Sequence, residues 1–412
     1  MLVPTARTLG TALAAVLTLA VLPAAGRAAV PLQRAPFVPS THAAATSFKG
    51  QHFVIGSAAG NAHAMQQQTG PNVFVWPSHG ALFVADPSLN GVMVYDETHA
   101  GNNVLPYGIL AGANTALDGP VALSVGSDLP CNSACTPYLY VSNAGNDTIT
   151  YYTLPLTAWN QAPAGTISWN GNSTCQPYGQ PGSPSPLSNP YGIVHQWFPG
   201  NSGQDPQGQI IETSETNVSG YWINVFNASD NGPTQCYEGL SAGWLDTPSG
   251  PSMYNQSPYW PIEFNANHDT VSAVSYAGNG GGWAWSPNNS WTVGPGACTE
   301  GTAVEQGSSS SNSYVWVTTN KGCGYTASDA LWSCQIGAFP SCPSNPACTN
   351  PLAKLDFPDF PAISGLTNRL YVPNGNNGTV TAYALTGSGG AVCKPKSVYV
   401  NTQTPIGVAV EY

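Results

Sequence analysis

Charge is what this sequence has least of. Only 7% of its residues are Asp, Glu, Lys or Arg, against about 25% in ordinary globular proteins. Nine Lys and Arg stand against twenty Asp and Glu, for a formal charge of −11. A chain so poor in cations has no electrostatic footprint for nucleic acid or anionic lipid, which excludes both as partners. Disorder is marked by many charges and little hydrophobicity; here charge is scarce and 42% of residues are hydrophobic, so the chain reads as folded. After the first thirty residues no apolar run is long enough to span a bilayer, and no capped stretch of helical period appears. There is no Gly-X-Ser-X-Gly elbow for Ser/His/Asp catalysis, no phosphate-cradling loop and no readable quinone or nucleotide motif.

What is present begins with an export signal. Arg7 supplies a positive start, Leu9 to Ala25 an apolar stretch broken by Pro23, and Ala24 to Ala28 a small-residue cleavage region. The expected organisation is a signal peptide over 1–28, a flexible Pro/Ala/Thr-rich lead over 29–47 and one domain over 48–412. Cleavage removes two arginines and no acid, moving the charge from −11 to −13. The mature protein is expected to be secreted (extracellular or periplasmic), monomeric and without a transmembrane segment.

Ten cysteines in an exported chain favour disulfides over metal, because the Cys131–Cys135 and Cys342–Cys348 loops bring no His. The expected pairs are 131–135, 175–236, 323–334, 342–348 and 298–393.

The repeating unit is clearest in Leu139–Leu154, LYVSNAGNDTITYYTL. Two runs of strand formers flank Asn143-Ala144-Gly145-Asn146-Asp147, whose Asn and Gly accept the positive φ of a tight turn. Similar hairpins are read at 52–65, 82–95, 210–226, 314–336 and 370–383. A third strand with its own entry turn precedes several of them, at Asp118–Leu123, Asn189–His195 and Glu300–Val304. Thr404–Val410 is such a strand with no hairpin after it, and the 52–65 hairpin lacks a leading strand. Joining those two incomplete units closes a ring of sheets and hides its free edges. The period of roughly 40–60 residues suits propeller blades. The expected fold is therefore all-β, a seven-bladed β-propeller (six being the alternative count), closed by the C-terminal strand on the N-terminal hairpin.

LYVSNAGNDTITYYTL and RLYVPNGNNGTVTAYAL resemble the repeats of the YVTN/lactonase-like and NHL-type β-propellers. NPYGIV and TPIGVAV resemble their Pro-X-Gly-Ile-Ala-Val entry. The resemblance implies the fold across most of 50–412, and it covers both lactonases or lyases and proteins that only bind.

Candidate site residues follow from aligning the units. Asp118, Glu300 and Asp359 fall at equivalent entry turns, with Asn72 and Asn189 nearby. Such a set could hold Ca²⁺ or Mg²⁺ through oxygen, as the resemblance to propeller lactonases implies, at about 2.3–2.6 Å for Ca²⁺. The same residues also suit plain turn chemistry, since Asp and Asn before Gly or Pro bond their own backbone. His195, Glu263 and His268 are the acid–base candidates that resemblance to propeller lyases implies; packing on a strand accounts for His195 equally. Trp260, Trp283, Trp285 and Trp291 make the 247–296 unit aromatic, which fits either a sugar-binding face or packing between blades. The expected function is a ligand-binding or surface-associated module for a small molecule, glycan or protein. The competing reading is a metal-dependent lactonase or lyase with its site at the channel mouth.

Overall fold

A computed structural model describes residues 76–127, 136–168, 298–320, 329–338, 342–350, 352–400 and 402–411, and between 187 and 293 mainly the strands. The proposed signal and lead, the hairpin at 52–65, Asn72, His268 and Trp285 lie outside these residues.

The described residues form no α-helix, only strands and three short 3-10 turns. They build six antiparallel sheets of at least four strands. The second shows the pattern most plainly, with Pro120–Ser127 innermost, then the hairpin Pro137–Asn143 and Thr148–Thr153, then Gly165–Ser168. The third runs Pro190–Gln196, Gln209–Thr216, Gly220–Asn227 and Tyr237–Ser241. The fourth runs Pro248–Tyr254, Trp260–Asn265, Thr270–Ala273 and Ser290–Thr292. The fifth has Cys298–Glu305, Tyr314–Asn320, Ala330–Gln335 and the two-residue Cys348–Thr349. In the sixth, Ala362–Ser364, Arg369–Asn374, Thr379–Gly387 and Ser397–Tyr399 are joined by Gly101–Val104, which pairs parallel to the outer edge.

The first sheet is completed by the tail of the chain. Gly407–Val410 pairs with Ala81–Asp86, which pairs with Gly91–Asp96, followed by Gly108–Leu110. Each inner strand lies against the inner strand of the next sheet, and Gly407–Val410 returns to Pro120–Ser127, so the circuit closes. The arrangement is a β-propeller.

Two expectations change. The C-terminal strand completes the hairpin at 81–96 rather than the one at 52–65, because that hairpin has no inner strand of its own and leaves the Ala81–Asp86 edge open. The described residues supply six sheets of at least four strands, since 81–96 shares a blade with the tail, so a seventh blade is not confirmed and the count matches the alternative of six.

Both faces of strands such as Ala81–Asp86 and Gly91–Asp96 are buried, which is why they read as continuous apolar runs rather than alternating ones. Along Leu82-Phe83-Val84-Ala85, Phe83 and Ala85 pack toward Leu139, Val141 and Tyr152 of the second sheet. Leu82 and Val84 pack toward Tyr371, Val380 and Tyr399 of the sixth. Burying a side chain of this size is worth roughly 1.5–3 kcal/mol, and the core repeats in each gap between sheets. At the junction of first and sixth sheets, Tyr95 Oη donates to Val400 O (2.7 Å) and Tyr371 Oη to Glu97 O (2.9 Å).

The disulfides differ from expectation. Cys334 pairs with Cys342 and Cys348 with Cys393, replacing the 323–334, 342–348 and 298–393 pairs. Cys348 lies on the outer strand of the fifth sheet, facing the sixth, so its nearest thiol comes from a neighbouring blade and not from its own loop. The expected 131–135 and 175–236 pairs fall outside the described residues.

Candidate site at the channel mouth

The inner strands meet so closely that the channel is nearly filled. A Cβ on Gly192 would come within 2.3 Å of Pro251 Cδ, and one on Gly407 within 2.5 Å of Val121 O. These are the glycines of NPYGIV and TPIGVAV, and close approach of neighbouring backbones is the reason for glycine there. What remains is a cavity of about 40 Å³ among Ala122, Ile193, Gly250, Thr302, Phe360 and Val408, room for a water molecule or so.

At the end where the inner strands enter, one device recurs. In the first, second and sixth sheets the last residue of the second strand reaches the entry turn beside it. Asn143 Oδ1 accepts from Asp118 N (3.2 Å) while its Nδ2 donates to Val141 O and Thr150 Oγ1. Asn374 repeats this with Asp356 N (3.1 Å), Val372 O and Thr381 Oγ1. Asp86 does it with a carboxylate, accepting from Gln403 N, Thr404 N and Leu89 N. Burial raises the Asp86 pKa, and those backbone N–H groups oppose the rise.

The expected metal set sits within this device. Asp118 is half-buried, and its carbonyl accepts from Gly145 N (2.9 Å). Glu300 is buried and its Oε1 accepts from Asn320 Nδ2. Asp359 is buried, its N–H donating to Pro373 O and its carbonyl accepting from Thr318 Oγ1. They belong to the second, fifth and sixth sheets, and no three His, Cys, Asp or Glu among the described residues stand together as a metal site. Asn189, at φ 51, donates its N–H to Asp147 Oδ1 (2.6 Å) and so is a turn residue.

The other candidates are dispersed. His195 sits toward the exit of its inner strand, its ring stacked on Tyr140 at 5.3 Å and 18° and fitted against Gly126 of the second sheet. Its backbone N–H donates to Ser124 Oγ (2.8 Å). Glu263 is on the second strand of the fourth sheet, opposite Ser272. Trp260 and Trp291 share the fourth sheet, opposite Tyr254 and Val271, while Trp283 pairs with Tyr276 in a separate two-stranded piece.

One ionisable residue escaped sequence reasoning. Glu97 is fully buried where the first and sixth sheets meet, and neither carboxylate oxygen has a hydrogen bond of good geometry, Ser364 being the hydroxyl beside it. Loss of solvation pushes its pKa up to about 7; Ser364 opposes the rise, Asp96 adds to it, Arg369 opposes it and Glu411 adds. No motif marks it, since Asp96-Glu97 after a strand looks like any acidic turn. In the unfolded chain Glu97 ionises near 4.5, the ordinary value for a glutamate, so the folded state holds the proton longer. Stability should therefore fall as pH rises from about 4.5 to about 7 and level off above that. Glu97→Gln should remove this share of the slope, matching wild type at low pH and exceeding it at pH 8 by about 2 kcal/mol. Urea midpoints at pH 4 and pH 8 check this; an unchanged difference between the two proteins would refute the assignment.

Comparison with known proteins adds the following. No protein-family model matches the chain, and no curated protein matches it by sequence. Among solved structures, the periplasmic gluconolactonase PpgL of Pseudomonas aeruginosa is similar over 81% of this chain and 99% of its own, at 12% identity and a TM-score of 0.44. A Lactobacillus plantarum protein gives 12% identity and a TM-score of 0.45 over 81% of this chain and 99% of its own. Apo AztD of Citrobacter koseri gives 12% and 0.38 over 81% and 98%. The propeller arrangement itself rests on the strand pairing described above. No helix among the described residues is long and apolar enough to cross a membrane.

Proposed function

We propose that this protein is an exported β-propeller that binds its ligand without transforming it. The observation that carries this reading is the close packing of the inner strands, which leaves a cavity of only about 40 Å³ among the described residues there. The Glu300 carboxylate, one of the expected metal ligands, is engaged by Asn320 Nδ2. Two disulfides suit an oxidising compartment outside the cytosol. On this reading the ligand, a glycan, small molecule or protein, meets the mouth near Asn189 or the aromatic 247–296 segment, to which Trp260, Trp283, Trp285 and Trp291 belong in sequence and whose rings could stack on sugar faces.

The test is metal analysis of the purified mature protein alongside retention on insoluble polysaccharide. The expected result is no stoichiometric divalent ion, with retention that falls at least fivefold in Trp260→Ala or Trp291→Ala. A bound Ca²⁺ or Mg²⁺ lost in Asp118→Ala and Glu300→Ala, together with lactone hydrolysis, would establish the enzyme reading instead. That reading would give His195, Glu263 and His268 the proton transfers.

A further inference from the structure

A second concavity lies at the outer rim between the fifth and sixth sheets, beside the Asn374 turn. The fifth sheet ends in the shortest outer strand of the six, Cys348–Thr349, whereas the sixth is widened by Gly101–Val104. The outer part of the sixth sheet's face toward the fifth is therefore left uncovered. Register identifies that face: Val372 and Tyr383 pack with Trp316 and Leu331 of the fifth sheet, Thr381 lies opposite Val372, and Val398 lies opposite Thr381. The result is a cleft of about 340 Å³, with Thr379, Thr381 and Val398 as its floor and Asn102, Asn103, Asn377 and Lys354 around it. That volume is at the lower end of the range for small-molecule sites, about 300–1,000 Å³.

The rim groups are unused by the fold. Among the described residues the side chains of Lys354, Asn102 and Asn103 make no hydrogen bond or ion pair, and Asn377 uses only Oδ1, accepting from Thr379 Oγ1 (2.6 Å). Lys354 is also held in place. Asn350 grips Leu355 through both N–H and C=O (2.7 and 2.6 Å), Ala353 N–H donates to Thr349 O, and Tyr383 Oη donates to Ala353 O. Pinned on both sides, Lys354 adopts φ 55, and Asn103 across the cleft adopts φ 62. Left-handed backbone at a lysine is rare and tends to mark ligand clamps and other functional positions. In a chain with nine cations and twenty acids, a lysine facing a cleft with no carboxylate in its lining is the exception. An ammonium beside three primary amides, each bringing N–H donors and a carbonyl acceptor, complements a carboxylate surrounded by hydroxyls.

We infer that this cleft binds a small hydroxylated carboxylate of monosaccharide size, its carboxylate on Lys354 and its hydroxyls on Asn102, Asn103 and Asn377. The site uses none of Asp118, Glu300 or Asp359 and nothing of the aromatic fourth sheet, so it stands whether or not the reading above does. Calorimetric titration of the mature protein with D-glucuronate, D-glucose and inorganic phosphate tests it. D-glucuronate should bind with a Kd below about 1 mM, and D-glucose and phosphate at least tenfold more weakly. Lys354→Met should weaken glucuronate binding at least tenfold. Lys354→Gly should do the same while melting no lower than wild type, because glycine suits a φ of 55. Absence of glucuronate binding, or binding that both Lys354 variants retain, overturns the site. Equal binding of glucose overturns the role of the charge, and equal binding of phosphate overturns that of the hydroxyls.

Discussion

Gly301→Val is expected to cost more than about 3 kcal/mol and to leave little folded protein at physiological temperature. Gly301 lies where the inner strands of the fourth and fifth sheets meet the entry to the sixth. A Cβ there would stand 2.7 Å from Phe360 Cα, 2.6 Å from Pro361 Cδ and 3.0 Å from Asp359 O. The first and last of these are backbone atoms and cannot rotate aside. On the other side Gly250 is just as tight, its own Cβ position being 2.8 Å from Gly301 Cα. Displacing one inner strand would press on the next, and because the circuit is closed there is no free edge to absorb the movement. Overpacking of a core usually costs about 1–3 kcal/mol, and backbone obstruction on both sides puts this site at the top of that range or beyond. Gly375→Ala is the control: its nearest neighbours would be 3.7 Å from the new Cβ, an ordinary contact, so the change should stay within about 0.5 kcal/mol. Urea unfolding of the two variants beside wild type measures both. A Gly301→Val protein with the wild-type midpoint would mean the inner strands do not pack in this way.

Removing the Cys348–Cys393 bridge as Cys348→Ala/Cys393→Ala should cost about 2–4 kcal/mol. The bridge spans 45 residues and ties the outer strand of the fifth sheet to the sixth. Cys334–Cys342 closes only 8 residues within one sheet and its following loop, so the corresponding double variant should lose less, about 1–2.5 kcal/mol. The difference arises mainly in the unfolded chain, where the longer bridge forbids many more conformations. The two-residue outer strand makes the long bridge matter in the folded state as well, since little else holds Cys348–Thr349 against its neighbours. Urea midpoints of the two double variants should therefore fall in that order. The reverse order would show that the interblade staple adds nothing to the side-chain packing beneath it.

Much of the propeller was legible in the residues. LYVSNAGNDTITYYTL and RLYVPNGNNGTVTAYAL announced their hairpins because strand formers and positive-φ turn residues are local signals. The leading strands at 120, 190, 298 and 407 were visible because Pro and Gly mark the entry. The 248–254 and 362–364 inner strands were harder to see, being short or interrupted by Gly250 and Pro251. The partner of the final strand was misread. A strand edge is a row of N–H and C=O groups common to every sequence, so two open hairpins look equally available until their positions in space are known. The cysteine pairs were misread for a related reason, because the thiol nearest to Cys348 in space is 45 residues away along the chain.

The candidate site divides in the same way. Alignment of the units put Asp118, Glu300 and Asp359 at equivalent entry turns, but Glu300 lies within the strand Cys298–Glu305, and the position bonded by Asn374 as Asp118 is by Asn143 belongs to Asp356 rather than Asp359. That Asn320 bonds the Glu300 carboxylate, or that Asn143 reaches across to the Asp118 backbone, depends on neighbouring turns meeting in three dimensions. Glu97 and the cleft at Lys354 left no trace in the sequence, since burial of the first comes from residues near 364 and 411 and the second joins residues 102 to 398.

Composition and local pattern, by themselves, determined that this is an acidic, cation-poor, all-β chain of repeated hairpins that must close on itself, because turn geometry and strand propensity act over a few residues. Only the tertiary structure decided which hairpin receives the tail, that the channel is filled, and which polar groups are left unused. Those outcomes depend on distances between segments far apart in the chain, and packing, not propensity, sets them.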